Sequence, residues 1–519
     1  MKKLMIRPME HYYDRGKGSR CVEIAEDLFR NKIYLSNAYS FEATTENIFD
    51  TVFETGDKSY DHYLFAMDYL SFLLSAYEQT GEPRYQEKFL EIVRQFFDFY
   101  ERGTLVFTKS YDLTVCAQTV MFIKSFGLIS YDEILKEKII DLLYSHALYF
   151  YDDRNHADND NHGLFSDLGL LHVSVLFEAL SEARDWQRHA VERVRRLYAA
   201  AFYQDGFNNE GSMSYFRLNI YLYQRVLDFC RVYKITGLEP VQKGLDRSKE
   251  VLQAFAHSDG SFPAIGDGLE FSDPQFKCDS ISAIYRDGGI CVMKTGGIYL
   301  TFKSKSFLQA HTHVDDTSIT IRYRNMDLAL DGGQYNYDRY DPINRYLRTS
   351  GGHSGVFPLF ADGLSLCEYL NRRNHAEIET FEFDGTIGRV SGGYELDAGA
   401  IQVRRNIYVV PNRIEIRDQW ECASPQVMRQ RFILPKELLP KSRFTASKQL
   451  FETATGGCRI QYQVQSNGAA LTTMNFGVIS RAYHEFEPAV LLDTTVENMA
   501  RGEITTIITI QDEGDLASE

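Results

Sequence analysis

At 519 residues the chain is long for one hydrophobic core, so two large domains are expected. Lys and Arg number 56 against 72 Asp and Glu, a formal charge of −16 that argues against general binding to nucleic acid or to an anionic membrane surface. The eight Cys are scattered with no CxxC pair, and no apolar run approaches a membrane span, which predicts free thiols in a reducing compartment. The opening Met1-Lys-Lys-Leu-Met-Ile-Arg-Pro8 is basic but carries no apolar leader core, so the reading is cytoplasmic, or exported if a leader has been removed.

Residues 1–58 are weakly patterned and read as an N-terminal cap region. From Tyr60 apolar residues recur at three and four, through Tyr63, Met67, Leu70, Leu73, Leu74 and Tyr77; Thr80-Gly81-Glu82-Pro83 breaks the run, and Tyr85, Phe89, Ile92, Val93, Phe96 and Phe99 resume it. Gly just past one helix and Pro at the start of the next predicts a helical hairpin. Further helices are predicted at about 112–128, 133–151, 167–182 and 186–202. The same punctuation returns at Thr236-Gly237-Leu238-Glu239-Pro240, between helices over 215–233 and 241–255. Repeated hairpins with apolar faces must stack, which predicts an (α/α) toroid over 59–270.

Around Ser258 to Gly268 Gly, Pro and Asp cluster in a linker, and the pattern changes to short β-type runs: 281–285, 290–294, 298–303, 318–323, 401–410, 413–418 and 504–510. Their alternation predicts antiparallel sheets packed face to face, a β-sandwich over 271–510, followed by an acidic tail at 511–519. The fold class is α+β multidomain.

The densest polar constellation is Gln309-Ala-His311-Thr-His313-Val-Asp315-Asp-Thr-Ser318, followed by Leu330-Asp331-Gly-Gly333 and Arg348-Thr-Ser-Gly-Gly-His353. Two His one residue apart on a strand point the same way. His313, Asp331 and His353 form a candidate divalent-metal set, with Zn the first expectation and Mn the second. Asp315 is a candidate for orienting a ligand His.

In the helical half, Asp158-Asn159-Asp160-Asn161-His162-Gly163 and Asp205-Gly-Phe-Asn-Asn-Glu210-Gly-Ser-Met-Ser-Tyr215-Phe-Arg217 are unusually polar. Asn159 and Asp160 read equally as plain helix caps, and Tyr215 as one more core aromatic. Taken together in this order, Asn161-His162-Gly163, Glu210 to Tyr215, His311-Thr-His313-Val-Asp315, Leu330-Asp331-Gly-Gly333 and Tyr346-Leu-Arg348 to His353 resemble the heparinase II/III-like polysaccharide lyases over roughly 60–420. The chain departs from the pattern after His353, where Ser354-Gly355 stands in place of Asn-Thr.

The resemblance implies an α/α toroid followed by antiparallel sheets, and β-elimination on a uronic-acid glycan. A base removes the C5 proton and the C4–O bond breaks. Asn161, with His162, would neutralise the carboxyl group, Tyr215 would protonate the leaving oxygen, and Tyr215, His162 or His311 would be the base. A basic Tyr needs a neighbouring cation, for which Arg217 and Arg348 are candidates. Glu210, Arg217, Arg345, Arg348, Arg339 and Tyr346 are candidate substrate contacts, with Tyr223 and Tyr335 as stacking platforms. The implied partner is an acidic polysaccharide or oligosaccharide, a glycosaminoglycan first and an alginate-like polyuronate second. Two rival readings stand beside it: a toroid glycoside hydrolase using two of Asp205, Glu210 and Asp267, and a non-catalytic glycan-binding protein.

Overall fold

The computed structural model describes residues 20–36, 39–53, 59–103, 111–158, 161–278, 280–305, 307, 311–338 and 340–512. Of the segments read from sequence, Asn159, Asp160, Gln309, Arg339 and most of the acidic tail lie outside the described residues. By internal packing the chain divides into two units, Met1–Ala200 with Leu222–Gln242, and Ala201–Tyr221 with Lys243–Glu519. No described helix is long and apolar enough to cross a membrane, and all eight Cys are free.

The N-terminal half is helical, as expected for an (α/α) toroid. Helix α1 (Cys21–Phe29) precedes a two-stranded antiparallel ribbon, β1 (Lys32–Ser36) and β2 (Tyr39–Glu42). There follow α2 (Ser59–Ala66), α3 (Leu70–Thr80), α4 (Pro83–Glu101), α5 (Tyr111–Ser125), α6 (Glu133–Tyr151), α7 (Asn161–Leu176), α8 (Ala183–Ala201), α9 (Met213–Tyr233) and α10 (Glu239–Phe255). Gly81 closes α3 in the left-handed region (φ 68°) and Pro83 opens α4, so the predicted hairpin forms where the punctuation placed it. Helix α4 buries Tyr85, Phe89, Ile92, Val93 and Phe96 and exposes Glu87, Glu91, Arg94 and Asp98. Each buried aromatic contributes about 1.5–3 kcal/mol of transfer free energy, which is what holds so polar a helix in place.

Helix α7 opens within the polar stretch 158–163 that precedes Leu168, Leu170, Leu171 and Val175, as the place of that stretch suggests, but it departs from the bounds read from apolar spacing. It starts at Asn161, six residues before the predicted 167, and ends at Leu176. The apolar spacing continues through Phe177 and Leu180, both buried, but the backbone there is already turning, so spacing alone placed the helix too late.

In the C-terminal half every pairing between named strands is antiparallel. One sheet runs in sequence order: β3 (Ala283–Tyr285), β4 (Ile290–Thr295), β5 (Ile298–Lys303), β6 (Ile319–Tyr323) and β7 (Met326–Ala329). Helix α11 (Pro342–Arg348), β8 (Val356–Pro358) and α12 (Leu366–Arg372) lead into the second sheet. Its remaining strands are β9 (Arg373–Phe383), β10 (Gly388–Leu396), β11 (Ile401–Val410), β12 (Arg413–Pro435), β13 (Arg443–Thr445), β14 (Leu450–Thr455), β15 (Cys458–Ser466), β16 (Ala470–Ala482) and β17 (Glu485–Asp512). Its order is β13-β14-β15-β17-β12-β11-β10-β9, with β16 paired to β17 and β8 to β12. Apolar residues of both sheets, among them Leu300, Phe302 and Ile321 from one and Ile407, Ile414, Phe432 and Ile508 from the other, share one core. That is the expected sandwich.

Strand β11 alternates buried and outward residues, as IQVRRNIYVV requires, with one inward position taken by Arg405. Arg405 lies opposite Asp418 in the register and forms a bidentate pair with it at 2.7 Å and 2.7 Å, both side chains fully buried. Its remaining nitrogen donates to the carbonyls of Thr317 (2.7 Å) and Ser354 (3.0 Å). Thr317 has φ 67°, a strained setting for a β-branched residue. The guanidinium thus ties down the turn after His313 and the segment after His353 from within the sandwich.

Arg405→Ala leaves the Asp418 carboxylate buried with its main donor gone, and should cost about 3–5 kcal/mol. The check is urea unfolding followed by tryptophan fluorescence, since Trp420 lies on the neighbouring strand β12. A midpoint unchanged from the parent protein would refute the role given to this pair.

Candidate functional site

His311 and His313 belong to an irregular segment ahead of β6, not to a strand as their spacing suggested. Asp315 and Asp316 favour turns over a ladder, and no strand among the described residues pairs with the segment. What aligns the two rings is Asp267. Its fully buried carboxylate accepts from His311 Nδ1 (2.9 Å), His313 Nε2 (2.7 Å) and Arg348 Nη1 (2.5 Å). The backbone N–H of Asp267 donates to the His311 carbonyl (3.0 Å). Gly266, at φ 62°, permits this approach, because a Cβ there would lie 2.7 Å from the His311 carbonyl oxygen. Burial pushes the Asp267 pKa up, but the His311 and His313 hydrogen bonds and the Arg348 charge outweigh it and hold the carboxyl well below the usual range.

The Tyr215 ring stacks on His311, with centroids 3.4 Å apart and planes 13° from parallel. Glu210 Oε2 is 3.5 Å from His311 Nε2, and Asn219 Nδ2 donates to Glu210 Oε1 (2.8 Å) and to the Tyr215 carbonyl (3.0 Å). The hydroxyl of Tyr337 is hydrogen-bonded to that of Tyr215. Burial first, then Tyr337 and the charges of Asp267 and Glu210, push the Tyr215 pKa far up. Tyr337 is pushed up to about 12, mainly by burial. The cations expected to lower Tyr215 are engaged elsewhere: Arg217 donates to Asp273 (2.9 Å) and lies over the Phe271 ring, and Arg348 donates to Asp267. Tyr337 went unread in the sequence, where nothing distinguishes it among 33 Tyr.

His313, Asp331 and His353 are all buried, and one ligand atom from each lies within 4.8 Å of the others. His353 Nδ1 meets Asp331 Oδ2 at 2.9 Å. His313 Nδ1 and His353 Nε2 are buried without a hydrogen-bond partner. Two unsatisfied imidazole nitrogens beside a carboxylate are a donor set for a divalent cation, and the residues present fit one. Asp315, also buried, pairs with Lys303 at 2.5 Å.

The other predicted contacts are dispersed. Arg345 is exposed on α11, and the Tyr346 hydroxyl accepts from Arg431 (3.3 Å). Tyr335 packs edge-on against His484 and Phe486. Tyr223 is a core residue of the helical unit, packed against Tyr198, and offers no platform for a sugar. Asp205 accepts from the backbone N–H groups of Phe207 and Asp287. Asp205 is taken up in holding a turn, and Asp267, locked as an ionised acceptor, does not supply the protonated carboxyl a hydrolase needs.

In the helical unit, Asn161 and His162 are the first two residues of α7, and His162 Nδ1 lies 2.9 Å from Asp112 Oδ2. Behind them His156 joins Asp158 (2.9 Å) and the buried Asp167 (3.2 Å). Burial lifts Asp167 to about 6 against the pull of His156 and Arg193. Gly163 packs so closely that a Cβ would meet the Ala157 carbonyl oxygen at 2.0 Å.

Two family models cover the chain, "Heparinase II/III N-terminus" over 17–277 and "Heparinase II/III-like, C-terminal" over 280–509. Among solved structures, heparinase III superposes with a TM-score of 0.80 at 11% identity, over 97% of this chain and 87% of that one. A mutant heparan sulfate lyase of Pedobacter heparinus gives 0.73 at 14%, over 95% and 83%. The chondroitin AC lyase of Streptomyces coelicolor A3, solved with chondroitin sulphate, gives 0.58 at 10%, over 99% and 82%. No curated protein matches the sequence.

The contact at Gly163 makes a specific demand on the start of α7. Gly163→Ala should destabilise the helical unit by about 1–3 kcal/mol, the usual cost of overpacking. Amide hydrogen exchange should show faster opening over 152–164 with α4 unchanged; unaltered exchange there would show that the turn has room.

Proposed function

The chain belongs to the heparinase II/III-like family of polysaccharide lyases, and we propose that it cleaves a glycosaminoglycan by β-elimination at a uronic acid, leaving an unsaturated uronate end. The observation that carries this reading is the Tyr215 and His311 pair: two proton-transfer groups stacked ring on ring, one backed by Asp267.

Elimination needs a base at C5, an acid at the departing oxygen, and a way to relieve the negative charge that builds on the carboxyl group. Tyr215, whose pKa is pushed up, holds its proton at neutral pH and suits the acid. His311 suits the base, through Nε2. When that nitrogen takes the C5 proton, the Glu210 carboxylate 3.5 Å away stabilises the imidazolium. The pair is reset when His311 releases the C5 proton to solvent and Tyr215 regains one from solvent through the Tyr337 hydroxyl bonded to it, so that Tyr337 ends each turnover with its own proton. Charge relief is assigned to Asn161, with His162 beside Asp112, on the resemblance carried by Asn161-His162-Gly163. Acid and base stacked on one another reach a sugar from the same side, an arrangement that suits glycans whose C5 proton lies on the face of the leaving oxygen.

The His313, Asp331 and His353 set is assigned to zinc, with manganese second. A bound ion would cross-link the three segments that carry these residues. Arg345 and Tyr346 remain proposed contacts for the acidic chain, and Arg217 for a carboxylate or sulfate beyond Asp273.

Purified protein is incubated with hyaluronan, chondroitin sulfate, heparan sulfate and alginate, and products are followed by ultraviolet absorbance and mass analysis. Unsaturated uronate products from a glycosaminoglycan, reduced at least ~10²-fold in Tyr215→Phe and in His311→Ala, are expected. Saturated products, or none from any uronate polymer, would sink the proposal.

Metal analysis of protein purified without added ions should find about one zinc per chain. His353→Ala should lose it and melt at lower temperature. Equal metal content in parent and variant would remove the assignment.

A further inference from the structure

We propose that Asp267 is a positioning residue that sets the tautomers of two histidines in opposite senses, aiming one lone pair at substrate and the other at the metal set. Both destinations rest on the lyase reading above, whereas the tautomers themselves are a property of the folded chain.

An ionised carboxylate is acceptor only, so every group that meets it must present an N–H. His311 meets Asp267 through Nδ1 and His313 meets it through Nε2. A neutral imidazole has one N–H. In His311 it is therefore on Nδ1, leaving Nε2, the nitrogen beside Glu210, as the lone pair that accepts a proton. In His313 it is on Nε2, leaving Nδ1, the buried nitrogen with no hydrogen-bond partner among the described residues, as the lone pair offered to the ion. Arg348 supplies a third donor and keeps the carboxylate charged without a proton from either ring. One side chain thus solves two problems that a strand would leave open. In a strand His311 and His313 would share a direction, but nothing would choose between their nitrogens.

Asp267→Asn breaks this logic with little change of shape. Its oxygen still accepts from one ring, but its NH2 donates, and a ring facing it must accept instead. At least one histidine then carries its proton on the wrong nitrogen.

The test reads tautomers directly. Full-length protein labelled with 15N-histidine gives long-range proton–nitrogen spectra that distinguish Nδ1–H from Nε2–H rings, with His311 and His313 assigned by their loss in His311→Gln and His313→Gln. In the parent protein His311 should be Nδ1–H and His313 Nε2–H, and either ring found in the other form overturns the proposal. In Asp267→Asn at least one ring should switch. kcat should fall on the order of 10²–10⁴-fold with KM changed less than about 3-fold, as when an orienting carboxylate becomes an amide, and zinc should bind about 10–100-fold more weakly. Unswitched rings with full activity would overturn it equally. Should Asp267→Asn fail to fold, the parent spectra decide alone. A protein inactive on every uronate polymer but with these tautomers would fail as a lyase while Asp267 kept its role.

Discussion

A carboxylate sealed from water must be surrounded by donors or it will not stay ionised. Asp267 meets that demand with two imidazoles and a guanidinium, and its backbone N–H binds the strand-less segment it serves. Much of the surrounding arrangement follows. His311 is held where Tyr215 can stack on it, Arg348 is fixed at the end of its short helix, and the His313 ring, its Nδ1 unmatched, lies 5.3 Å from that of His353. The segment 311–318 has no ladder of its own, so side-chain bonds do for it what β pairing does elsewhere.

The same device recurs around His313, Asp331 and His353. Asp315 is matched by Lys303, Arg431 is matched by Asp493 and donates to the Gly351 carbonyl, and Arg405 is matched by Asp418 while donating to Thr317 and Ser354. Buried ion pairs of this kind add little net stability over apolar residues of the same size, since desolvation offsets their attraction. Their value here is geometric. Arg405 and Arg431 each spend one side of a guanidinium on a carboxylate and use the other to fix loop carbonyls, so the loops bearing His313 and His353 are registered against a rigid sandwich.

How much of this could be read in advance follows from the range of each signal. Gly81 with Pro83 marks a hairpin because helix ends are local chemistry, and β11 was legible because alternation is local too. The lengths of β12 and β17 were not: each bends and changes partner midway, and polar stretches such as Ala423 to Gln426 interrupt the pattern while the strand continues. His313, Asp331 and His353 were legible as chemistry but not as geometry, and the strand assigned to the first of them was wrong because period two is satisfied by chance in a pair. Asp267 was noticed only as a spare hydrolase carboxylate. Its role depends on residues 44, 46 and 81 positions away, and no pattern near it records them.

The acidic balance of the chain carries through to the surroundings of Tyr215, where the nearby cations are already spent on carboxylates. Arg217 and Arg348, the cations that could have made Tyr215 a tyrosinate, are matched by Asp273 and Asp267. A phenol in that setting, buried and facing two carboxylates, loses its proton less readily than one in water. On the proposed reading acid and base are therefore divided between two residues, not combined in one, and the carboxylates are what keep Tyr215 in the acid's part. An anionic substrate entering such a site would add to that field and hold the proton on Tyr215 more firmly still, so the phenol is kept from serving as base when a uronate is bound.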